Sequence, residues 1–442
     1  MVSVLLAGCA ATPPTARSVE SGSNIDIESQ TSTQPKPVFN VSPPLSEDST
    51  LSDYLRLAAL NNPGLEAAFY RWKAALEKVP QATSLPDPKF NYGYFIREVE
   101  TRVGPQEQKI GIAQTFPWFG KLKLRGERAG EAAIVAREQY EDTKVDLFYK
   151  VKETYYELYY LSKAISITKE NMELLKHLES VAQAKFRAGS DVTGVVKAQV
   201  ELGKLEDSLL SLEDLKTPIV AKLNVAMNRP VDEEIPWPKN FTTSDVNFTD
   251  QEVIAILDEG NPELLALAAK VSEEKKSLAL AKKEFWPDVT VGVDYLGTGD
   301  ARMSGVTDSG KDAVMVTGAI NIPLWWGKYR AGVREAQARR NGAIRSLENR
   351  ENVLESDLKM SLYKFHDAKR KISLFGKTLT PLAKNSLEVA EQAYETGKAD
   401  FLQLIDAQRL LLDIQLSHQR ALTDREQRLA EIEMLIGRDL LP

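Results

Sequence analysis

Few residues in this sequence are of the types that carry out chemistry. The 442 residues include one Cys and three His, which is too few to build a zinc or redox centre from protein ligands alone. The histidines, His177, His366 and His418, are scattered along the chain and favour hydrogen bonds at the surface or between helices over metal ligation. No nucleophile motif and no cluster of His, Asp and Glu stands out. We therefore predict no catalytic residue, no metal site and no cofactor.

One glycine-rich segment fits the beginning of a phosphate-binding P-loop: Gly305-Val306-Thr307-Asp308-Ser309-Gly310-Lys311. The next residue, Asp312, stands where a Ser or Thr would hold magnesium. A P-loop also requires a buried strand before it and a helix directly after it, whereas this segment lies between two amphipathic strands. A nucleotide-binding enzyme is therefore only a minor alternative.

The single cysteine ends the segment Leu6-Ala7-Gly8-Cys9, which is similar to the lipobox of bacterial lipoproteins. Small residues before the Cys give a signal peptidase access, and acyl chains such as palmitate on the Cys supply membrane affinity. The eight residues before Cys9 contain no Lys or Arg, although a signal peptide has a basic start and a longer apolar run. We predict that residues 1–9 are a truncated lipoprotein signal and that Cys9 is lipidated. The alternative is a free cysteine in an unfolded tail.

Composition excludes several classes of protein. The formal charge of −7, from 56 Lys and Arg against 63 Asp and Glu, argues against a nucleic-acid partner. No run approaches the roughly 18 apolar residues of a membrane-spanning helix. Residues 10–50 contain six Pro and many Ser and Thr, so they cannot bury enough apolar surface to fold alone. They are predicted to form an extended linker between the lipid anchor and a folded body.

The body of the chain contains two copies of one sequence pattern, and equivalent residues of the two copies are 199 to 209 positions apart. Repetition at a nearly fixed period indicates duplicated structural units. The clearest landmarks are an Asn-Pro break, a Pro-Asp pair and a strand-exit motif that carries one inserted residue in its second copy: Asn62-Pro63 and Asn261-Pro262; Pro86-Asp87 and Pro287-Asp288; Phe116-Pro117-Trp118-Phe119-Gly120-Lys121 and Ile322-Pro323-Leu324-Trp325-Trp326-Gly327-Lys328. We assign residues 51–230 to repeat 1, 231–250 to a linker, 251–437 to repeat 2 and 438–442 to a tail.

Each repeat shows the same order of predicted elements. Two short helices come first, at about 51–60 and 64–80 in repeat 1 and at about 251–259 and 263–284 in repeat 2. Apolar and polar residues then alternate, which predicts strands within about 88–116 and about 288–322. Polar segments at about 97–107 and about 297–311 contain Gly and are predicted to be the hairpin loops.

A very long helical pattern follows each hairpin. No Pro occurs between Pro117 and Pro218, and apolar residues recur every three or four positions, as in a coiled coil. About 65 residues at 1.5 Å each predict a helix on the order of 100 Å, ended by Gly189. With the returning helices, the coiled-coil segments cover about 121–228 and about 328–436, and the second long helix is predicted to run unbroken from Lys328 to Gly397. Helices of this length must pack along other long helices, and we expect some of these to belong to other chains.

Four amphipathic strands per chain could form half of a soluble sheet or part of a membrane barrel. In a bilayer every backbone polar group needs a partner, so an open sheet is not allowed. Bacterial barrels have even strand numbers from eight upward. Two chains would supply eight strands with a filled interior, and three would supply twelve with room for a pore. The predicted inward face is small and polar, which suits a water-filled lumen: Asn91, Gly93, Thr290, Gly292, Asp294, Thr317 and Asn321.

This arrangement resembles the TolC-type outer-membrane efflux factors over roughly residues 50–437. The resemblance rests on the duplicated order of elements and on the strand-exit and turn motifs. It implies a mainly α fold with a membrane β-barrel, in which a homotrimer forms a twelve-strand barrel in outer-membrane lipids above a twelve-helix periplasmic α-barrel. The chain would be the exit duct of a tripartite efflux system, through which substrate passes without chemistry. Its partners would be a periplasmic adaptor protein and an inner-membrane pump of the resistance-nodulation-division type.

The resemblance also implies roles for particular residues. Two helix-turn-helix tips correspond to the adaptor-docking tips: Gly189, Ser190 and Asp191, and Gly397, Lys398 and Ala399. In the family, aspartates after the second tip line the closed periplasmic entrance, and Asp406 falls on one such position. The other position is Gln403, the arginine expected near the tip is Ala399, and Asp400 could partly replace the missing carboxylate. Asp406 is predicted to act at the gate, and the alternative is a solvated helix residue.

The sequence leaves the cargo and one rival function open. Lipidated family members with similar tips occur in the heavy-metal subgroup, although no Met or His relay supports metal cargo here. An open duct needs no binding site, so metal ions, drugs and other small molecules stay open as cargo. The main rival is a soluble or peripheral coiled-coil scaffold, which explains the long helices but neither the duplicated hairpins nor Cys9.

Overall fold

The structure is a computed structural model that describes residues 45–189, 191–239, 246 and 248–440. Several assignments made from the sequence fall wholly or partly outside these residues: the lipobox with Cys9, most of the linker at 10–50, Ser190 at the first tip, part of the linker at 231–250 and the end of the tail at 438–442. Within the described residues, no helix combines the length and apolar character needed to cross a bilayer.

Both repeats follow the predicted order of elements. Repeat 1 consists of α1 (Leu51–Asn61), α2 (Pro63–Thr83), β1 (Lys89–Thr101), β2 (Gly104–Phe116), α3 (Lys121–Arg187), α4 (Thr193–Asp214) and α5 (Lys216–Ala226). Repeat 2 consists of α6 (Asp250–Gly260), α7 (Pro262–Lys283), β3 (Val289–Thr298), β4 (Ala313–Ile320), α8 (Trp326–Leu374), a π-helical turn (Phe375–Leu379), α9 (Thr380–Glu395) and α10 (Phe401–Ile436). The duplication in the sequence is therefore a duplication of structure.

The Asn-Pro pair of each repeat caps a helix and contacts the returning helix. Asn62 Oδ1 accepts a hydrogen bond from Leu65 N at 3.0 Å and so caps α2, and Asn261 caps α7 in the same way. The Pro after each Asn fits the first helical position, where no intrahelical donor is needed. Each Asn Nδ2 also donates to the carbonyl of a residue near the end of the returning helix, Ala226 at 2.9 Å or Leu435 at 2.7 Å.

The strands form one antiparallel sheet in the order β1-β2-β3-β4. The two hairpins have equivalent registers, since Lys89 lies opposite Ala113 in repeat 1 and Thr290 lies opposite Ala319 in repeat 2. The repeats join where β2 pairs with β3, and Gln114 lies opposite Val291. The outer strands β1 and β4 leave two open edges in the protomer.

The first hairpin is tighter than expected. The sequence predicts a loop over 97–107, but β1 continues to Thr101 and β2 begins at Gly104. Gly104 has φ +135°, in the region that favours glycine, and Thr101 Oγ1 donates to the carbonyl of Gly104 at 2.7 Å. The loop prediction is wrong, since Val99, Glu100 and Thr101 pair with Gln106, Pro105 and Gly104. Strand pairing uses backbone groups, so a charged side chain such as that of Glu100 does not prevent it.

Each strand is joined to a helix, and these four helices pack in the same order as the strands. α2, α3, α7 and α8 pack side by side, and α2 and α8 are the outer members. Farther along, α3 packs against α4 and α10, and α10 packs against α9. Three apolar cores hold these helices together, centred on Leu158 between α1, α3 and α5, on Leu404 near the tips, and on Leu358 between α6, α8 and α10.

Two predicted continuous helices are interrupted near prolines. The sequence predicts one helix from Lys328 to Gly397, but a π-helical turn separates α8 from α9. Pro381 lacks an N–H and its ring would crowd the preceding turn, so a local widening to π geometry lets the chain remain helical. The first returning helix is likewise divided at Leu215, ahead of Pro218.

Candidate functional site

The outward face of the sheet is apolar and exposed. Val316 is 73% exposed and Ile96 is 94% exposed, and they belong to a band of apolar and aromatic residues across all four strands. We call this set the apolar belt: Phe90, Tyr92, Tyr94, Ile96, Ile110, Ile112, Val291, Val293, Tyr295, Val314, Val316 and Ile320. Contiguous exposed apolar surface of this kind marks a contact with protein or membrane rather than with water.

The opposite face of the sheet carries polar and small residues. Lys109 Nζ lies 3.1 Å from Asp294 Oδ2, and Thr115 Oγ1 lies 2.9 Å from Thr290 Oγ1. Gly111 lies opposite Asp294, and a Cβ atom there would collide with the Asp294 carboxylate. Six of the seven predicted inward residues lie on this face of the sheet: Asn91, Gly93, Thr290, Gly292, Asp294 and Thr317. The seventh, Asn321, follows the last residue of β4. The sheet therefore separates an apolar face from a polar one.

The strand-exit motif of repeat 1 contains a buried lysine that joins the repeats. Lys121 is 1% exposed, and its Nζ donates to Asp288 Oδ1 and to the Trp286 carbonyl, both at 2.9 Å. The same Asp288 oxygen accepts from Trp118 N at 2.9 Å. The Trp118 and Trp286 rings stack with centroids 5.2 Å apart. We call this arrangement the junction clamp.

The junction clamp holds Asp288 as a carboxylate. Burial acts to raise the pKa of Asp288, but hydrogen bonds from the Lys121 ammonium and Trp118 N–H outweigh it, and the net pKa is lowered. The ion pair is thus present at neutral pH. The sequence marked both residues as repeat landmarks, but it gave no sign that they contact each other across 167 positions.

The two predicted adaptor-docking tips are short turns that lie close together. Gly189 has φ +98° and Gly397 has φ +75°, so each turn uses a backbone conformation that favours glycine. Asp400 Oδ1 accepts from Gln403 N at 2.9 Å and caps α10. Asp191 Oδ1 accepts from Thr193 N at 3.2 Å and so bridges Val192, the residue at the N-cap of α4. Lys398 and Ala399 both donate backbone N–H groups to the Ala393 carbonyl, at 2.8 and 3.1 Å.

Aromatic packing links the tips. Lys185 of α3 donates to the Tyr394 carbonyl, and its Nζ lies 4.3 Å from the centre of the Tyr394 ring. The Tyr394 and Phe401 rings meet edge to face at 5.4 Å. Gly194 lets the Phe401 ring pack closely against α4, because a Cβ atom there would lie 3.3 Å from Phe401 Cγ. The turns are therefore fixed against each other through their flanking helices.

The proposed gate residue Asp406 belongs to an ion network. Its carboxylate is 59% exposed and lies 3.3 Å from Arg409 Nη1. Arg409 Nε also donates to Glu201 Oε2 of α4 at 3.1 Å, and the Glu201 side chain is only 12% exposed. The hydrogen bond from Arg409 lowers the pKa of Glu201, although burial opposes it. Gln403 is exposed one turn before Asp406 on the same helix.

Sequence reasoning missed Arg409 and Glu201. The spacing of three between Asp406 and Arg409 was an available signal, since such pairs face each other on a helix. The pairing with Glu201 spans 208 positions, and no local pattern reveals it. The network ties α4 to α10 close to the tips.

The remaining candidate residues have structural surroundings. His177 Nε2 lies 3.3 Å from Glu391 Oε1 and His366 Nε2 lies 2.8 Å from Asp250 Oδ1; both pairs join different helices. Burial lowers the pKa of His418, which faces Gly376. In the described part of the chain, no three His, Cys, Asp or Glu side chains are grouped so as to hold a metal ion.

The P-loop-like segment lies in the connection between β3 and β4. β4 begins at Ala313, immediately after Asp312, so a strand rather than a helix follows the segment. Asp312 accepts hydrogen bonds from Tyr295 Oη and from Thr298 N, which secures the base of the hairpin. This geometry is not that of a nucleotide site.

Known proteins match this chain in sequence and in structure. The sequence model of the family described as "Outer membrane efflux protein" matches residues 54–229 and 253–438, one match in each repeat. Toxin and drug export protein A of Aggregatibacter actinomycetemcomitans is 21% identical over 346 residues, covering 76% of this chain and 74% of that protein. Cobalt-zinc-cadmium resistance protein CzcC of Cupriavidus metallidurans is 21% identical over 421 residues, covering 93% of this chain and 95% of that protein. The solved structure of outer membrane protein VceC from Vibrio cholerae matches with a TM-score of 0.74 at 16% identity, covering 88% of this chain and 96% of that chain.

Proposed function

Since the chain belongs to the outer membrane efflux protein family and is an outer-membrane efflux channel, we propose that it serves as the passive exit duct of a tripartite efflux system. The family and the fold are those of channels, and we propose that the protein catalyses no reaction. Cargo would pass from a periplasmic pump-adaptor complex to the exterior. The apolar belt is the observation that carries this proposal.

The apolar belt supports a lipid-facing sheet. Its residues lie on one face of four strands, while the opposite face holds the Lys109–Asp294 ion pair and the Thr115–Thr290 contact. An apolar outer face and a polar inner face are the pattern of a membrane barrel that encloses water. A soluble scaffold would leave this belt exposed to water, which is unfavourable.

The open strand edges support a homotrimer. A bilayer does not tolerate unpaired backbone groups at β1 and β4, so the edges must meet other strands. Three copies would give twelve strands and an interior wide enough for a pore. The row of α2, α3, α7 and α8 would likewise close into a helical duct below the barrel.

The tips support docking of a periplasmic adaptor protein. The two turns around Gly189 and Gly397 lie at the same end of the coiled coil and are braced by Tyr394 and Phe401. We propose that this end binds the adaptor and, through it, an inner-membrane pump of the resistance-nodulation-division type. Asp191 and Asp400 would act mainly by shaping the turns, since Asp191 accepts from Thr193 N and Asp400 caps α10.

The exposed carboxylate of Asp406 supports a gate role. Repeated by symmetry around a central axis, three such carboxylates would repel one another and attract cations. Arg409 and Glu201 would hold Asp406 in position on α10, and Gln403 would lie one turn closer to the tip. Asp400 is engaged in capping, so we assign the gate charge to Asp406.

We propose that Cys9 carries a lipid anchor in the outer membrane. The Leu6-Ala7-Gly8-Cys9 segment and the Pro-rich linker after it support this role. Radiolabelled acyl chains should be incorporated into the parent protein and lost in Cys9→Ser, and equal labelling of the two proteins would reject the anchor.

The cargo is proposed to be chosen by the pump rather than by the duct. The relatives' names include toxin and drug export and cobalt-zinc-cadmium resistance, as expected if similar ducts serve different cargo. The His side chains of this chain pair with carboxylates or pack within helices, and they do not form a metal relay in the described residues.

Membrane fractionation tests the proposed function. The duct predicts an outer-membrane protein that runs as an oligomer without heating and as a monomer after boiling. It also predicts ion conductance after reconstitution into planar bilayers. A monomer recovered in the soluble fraction would instead support the scaffold and overturn the duct.

A further inference from the structure

The protomer contains one copy of a contact that its own duplication would produce twice. Repeat 1 meets repeat 2 where β2 pairs with β3 and the junction clamp joins Lys121 to Asp288. The opposite junction would need the end of repeat 2 to meet the start of repeat 1. Within one chain these ends are the open edges β4 and β1.

The residues of the missing junction can be identified by the repeat landmarks. Lys328 occupies the place of Lys121 at the end of the strand-exit motif, and Asp87 occupies the place of Asp288 after Pro. Both are exposed. Neither has an oppositely charged partner within 4 Å among the described residues, although Lys328 Nζ lies 5.7 Å from the Tyr329 ring centre.

We infer that β4 pairs with β1 of a second copy of this chain in the register of the β2–β3 contact, and that Lys328 then binds Asp87 of the partner subunit. This inference rests on the proposed assembly and specifies its interface. Such a head-to-tail contact uses two different surfaces of each copy, so it closes into a ring when the rotation allows.

The register follows from the geometry of the repeats. The same offsets that align the sequence landmarks also align the hairpins, because Lys89 opposite Ala113 corresponds to Thr290 opposite Ala319. In the contact between copies, each β2 residue is replaced by its equivalent in β4, and each β3 residue by its equivalent in β1 of the partner subunit. The pair of Gln114 with Val291 then becomes Ile320 with the partner's Phe90. The neighbouring pairs on the same face become Gly318 with the partner's Tyr92 and Val316 with the partner's Tyr94.

The side chains at the two edges suit this register. β1 presents the aromatic residues Phe90, Tyr92 and Tyr94, and β4 presents Val316, Gly318 and Ile320 on the matching face. Aromatic side chains opposite β-branched ones are favourable cross-strand pairs. A Cβ atom at Gly318 would meet nothing within 4 Å in the protomer, so this position leaves space for the Tyr92 ring of the partner subunit.

The ion pair of Lys328 with the partner's Asp87 selects one register of β4 against β1 of the partner subunit. A slip of one residue would turn the apolar belt of one strand toward the polar face. A slip of two residues keeps the faces but moves Lys328 about 7 Å along the strand from its partner, beyond ion-pair distance. The clamp residues therefore fix the register that the hydrophobic pattern alone leaves open.

Cysteine cross-linking tests the register. The contact of Ala113 with Gly292 is the internal template, because a Cβ atom at Gly292 would lie 3.3 Å from Ala113 Cβ, close to the roughly 3.8 Å typical of disulfides. The counterpart across subunits is Ala319→Cys with Asn91→Cys. Matched off-register controls pair Ala319→Cys with Lys89→Cys or with Gly93→Cys, and single-cysteine variants report any cross-link through Cys9.

Oxidised outer membranes should give covalent dimers and trimers on denaturing gels for the in-register pair alone. An off-register cross-link, or no cross-link in a protein that is still a heat-sensitive membrane oligomer, would overturn the inference. Failure of the proposed function looks different, because a soluble monomer would appear before any oxidation. The two failures are therefore distinguishable.

Charge exchange tests the clamp. Lys328→Asp and Asp87→Lys should each reduce the fraction of oligomer that resists heating, and the double variant should recover it, because the opposite charges are restored. Lys311→Asp is the control, since Lys311 lies in the exposed β3–β4 loop and pairs locally with Asp308 at 3.7 Å. Equal loss in the double variant, or no loss in either single variant, would refute the clamp.

Discussion

The junction clamp gives the sharpest stability prediction. In Lys121→Met a side chain of similar length fills the same space, but the ammonium is lost. Asp288 then keeps only the Trp118 N–H as a donor from the clamp, and the Trp286 carbonyl loses its Nζ contact. The variant should unfold more easily because a negative charge stays behind in a site that is partly shielded from water.

The size of the effect follows from burial. Removing one member of a buried ion pair costs about 3–5 kcal/mol. Lys121 Nζ also lies 3.5 Å from Glu284 Oε2. The Asp288 side chain is 24% exposed and the Glu284 side chain is 40% exposed, so water partly solvates both carboxylates. We therefore expect a loss of about 2–3 kcal/mol after that discount. Asp288→Asn in the Lys121→Met background should recover part of the loss, with a coupling of about 1–2 kcal/mol.

Denaturant unfolding in detergent measures this loss against a matched control. Lys276 also joins α7 to α3, with its Nζ 2.7 Å from Glu127, but these side chains are 37% and 31% exposed. Lys276→Met should cost less than about 1 kcal/mol, as exposed pairs do. If Lys121→Met cost no more than Lys276→Met, the reasoning about burial at the junction clamp would be wrong.

Three further predictions concern the helical part of the protein. Burial raises the pKa of Glu426 from 4.5 to about 7, so the folded chain holds a proton that the unfolded chain releases, and the free energy of unfolding should fall as pH rises from about 4.5 through about 7. Glu426→Gln should flatten that dependence in urea titrations, and an unchanged slope would contradict the assigned pKa. Asp406→Ala should alter conductance or cation block in planar bilayers, and identical currents would reject the gate role. Gly194→Val should disturb the packing with Phe401 and weaken cross-linking to the adaptor. Gly203→Val in the same helix is the control, because its side chain meets open space. If both variants weakened cross-linking equally, the effect would come from helix propensity and not from the contact with Phe401.

Much of the fold could be predicted because local chemistry determines it. The Asn-Pro breaks at Asn62 and Asn261 cap helices with their own side chains, and strand alternation appears directly in the order of residues. Gly189 ends a helix because its backbone adopts positive φ. These features need only neighbouring residues, so the sequence pattern is sufficient.

Features that depend on distant partners could not be predicted in the same way. Lys121 looks like an ordinary charged residue at the start of a helix, and its burial becomes evident only when Asp288 and Trp286 are placed against it. The contact of Arg409 with Glu201 is similar. The first hairpin differs for another reason, since exposed strand ends can tolerate the polar residues that also suit loops.

The central claim is that the apolar belt faces lipid and that the opposite face of the sheet lines a water-filled duct. Labelling of cysteines introduced along β4 tests this claim most directly. Along β4, Val314 and Val316 belong to the apolar belt, and Met315 and Thr317 lie between and beside them on the opposite face. In intact outer membranes, a charged water-soluble maleimide should react with cysteines at Met315 and Thr317 but not with cysteines at Val314 and Val316. Equal reaction at all four positions, above that of the parent protein, would contradict the account.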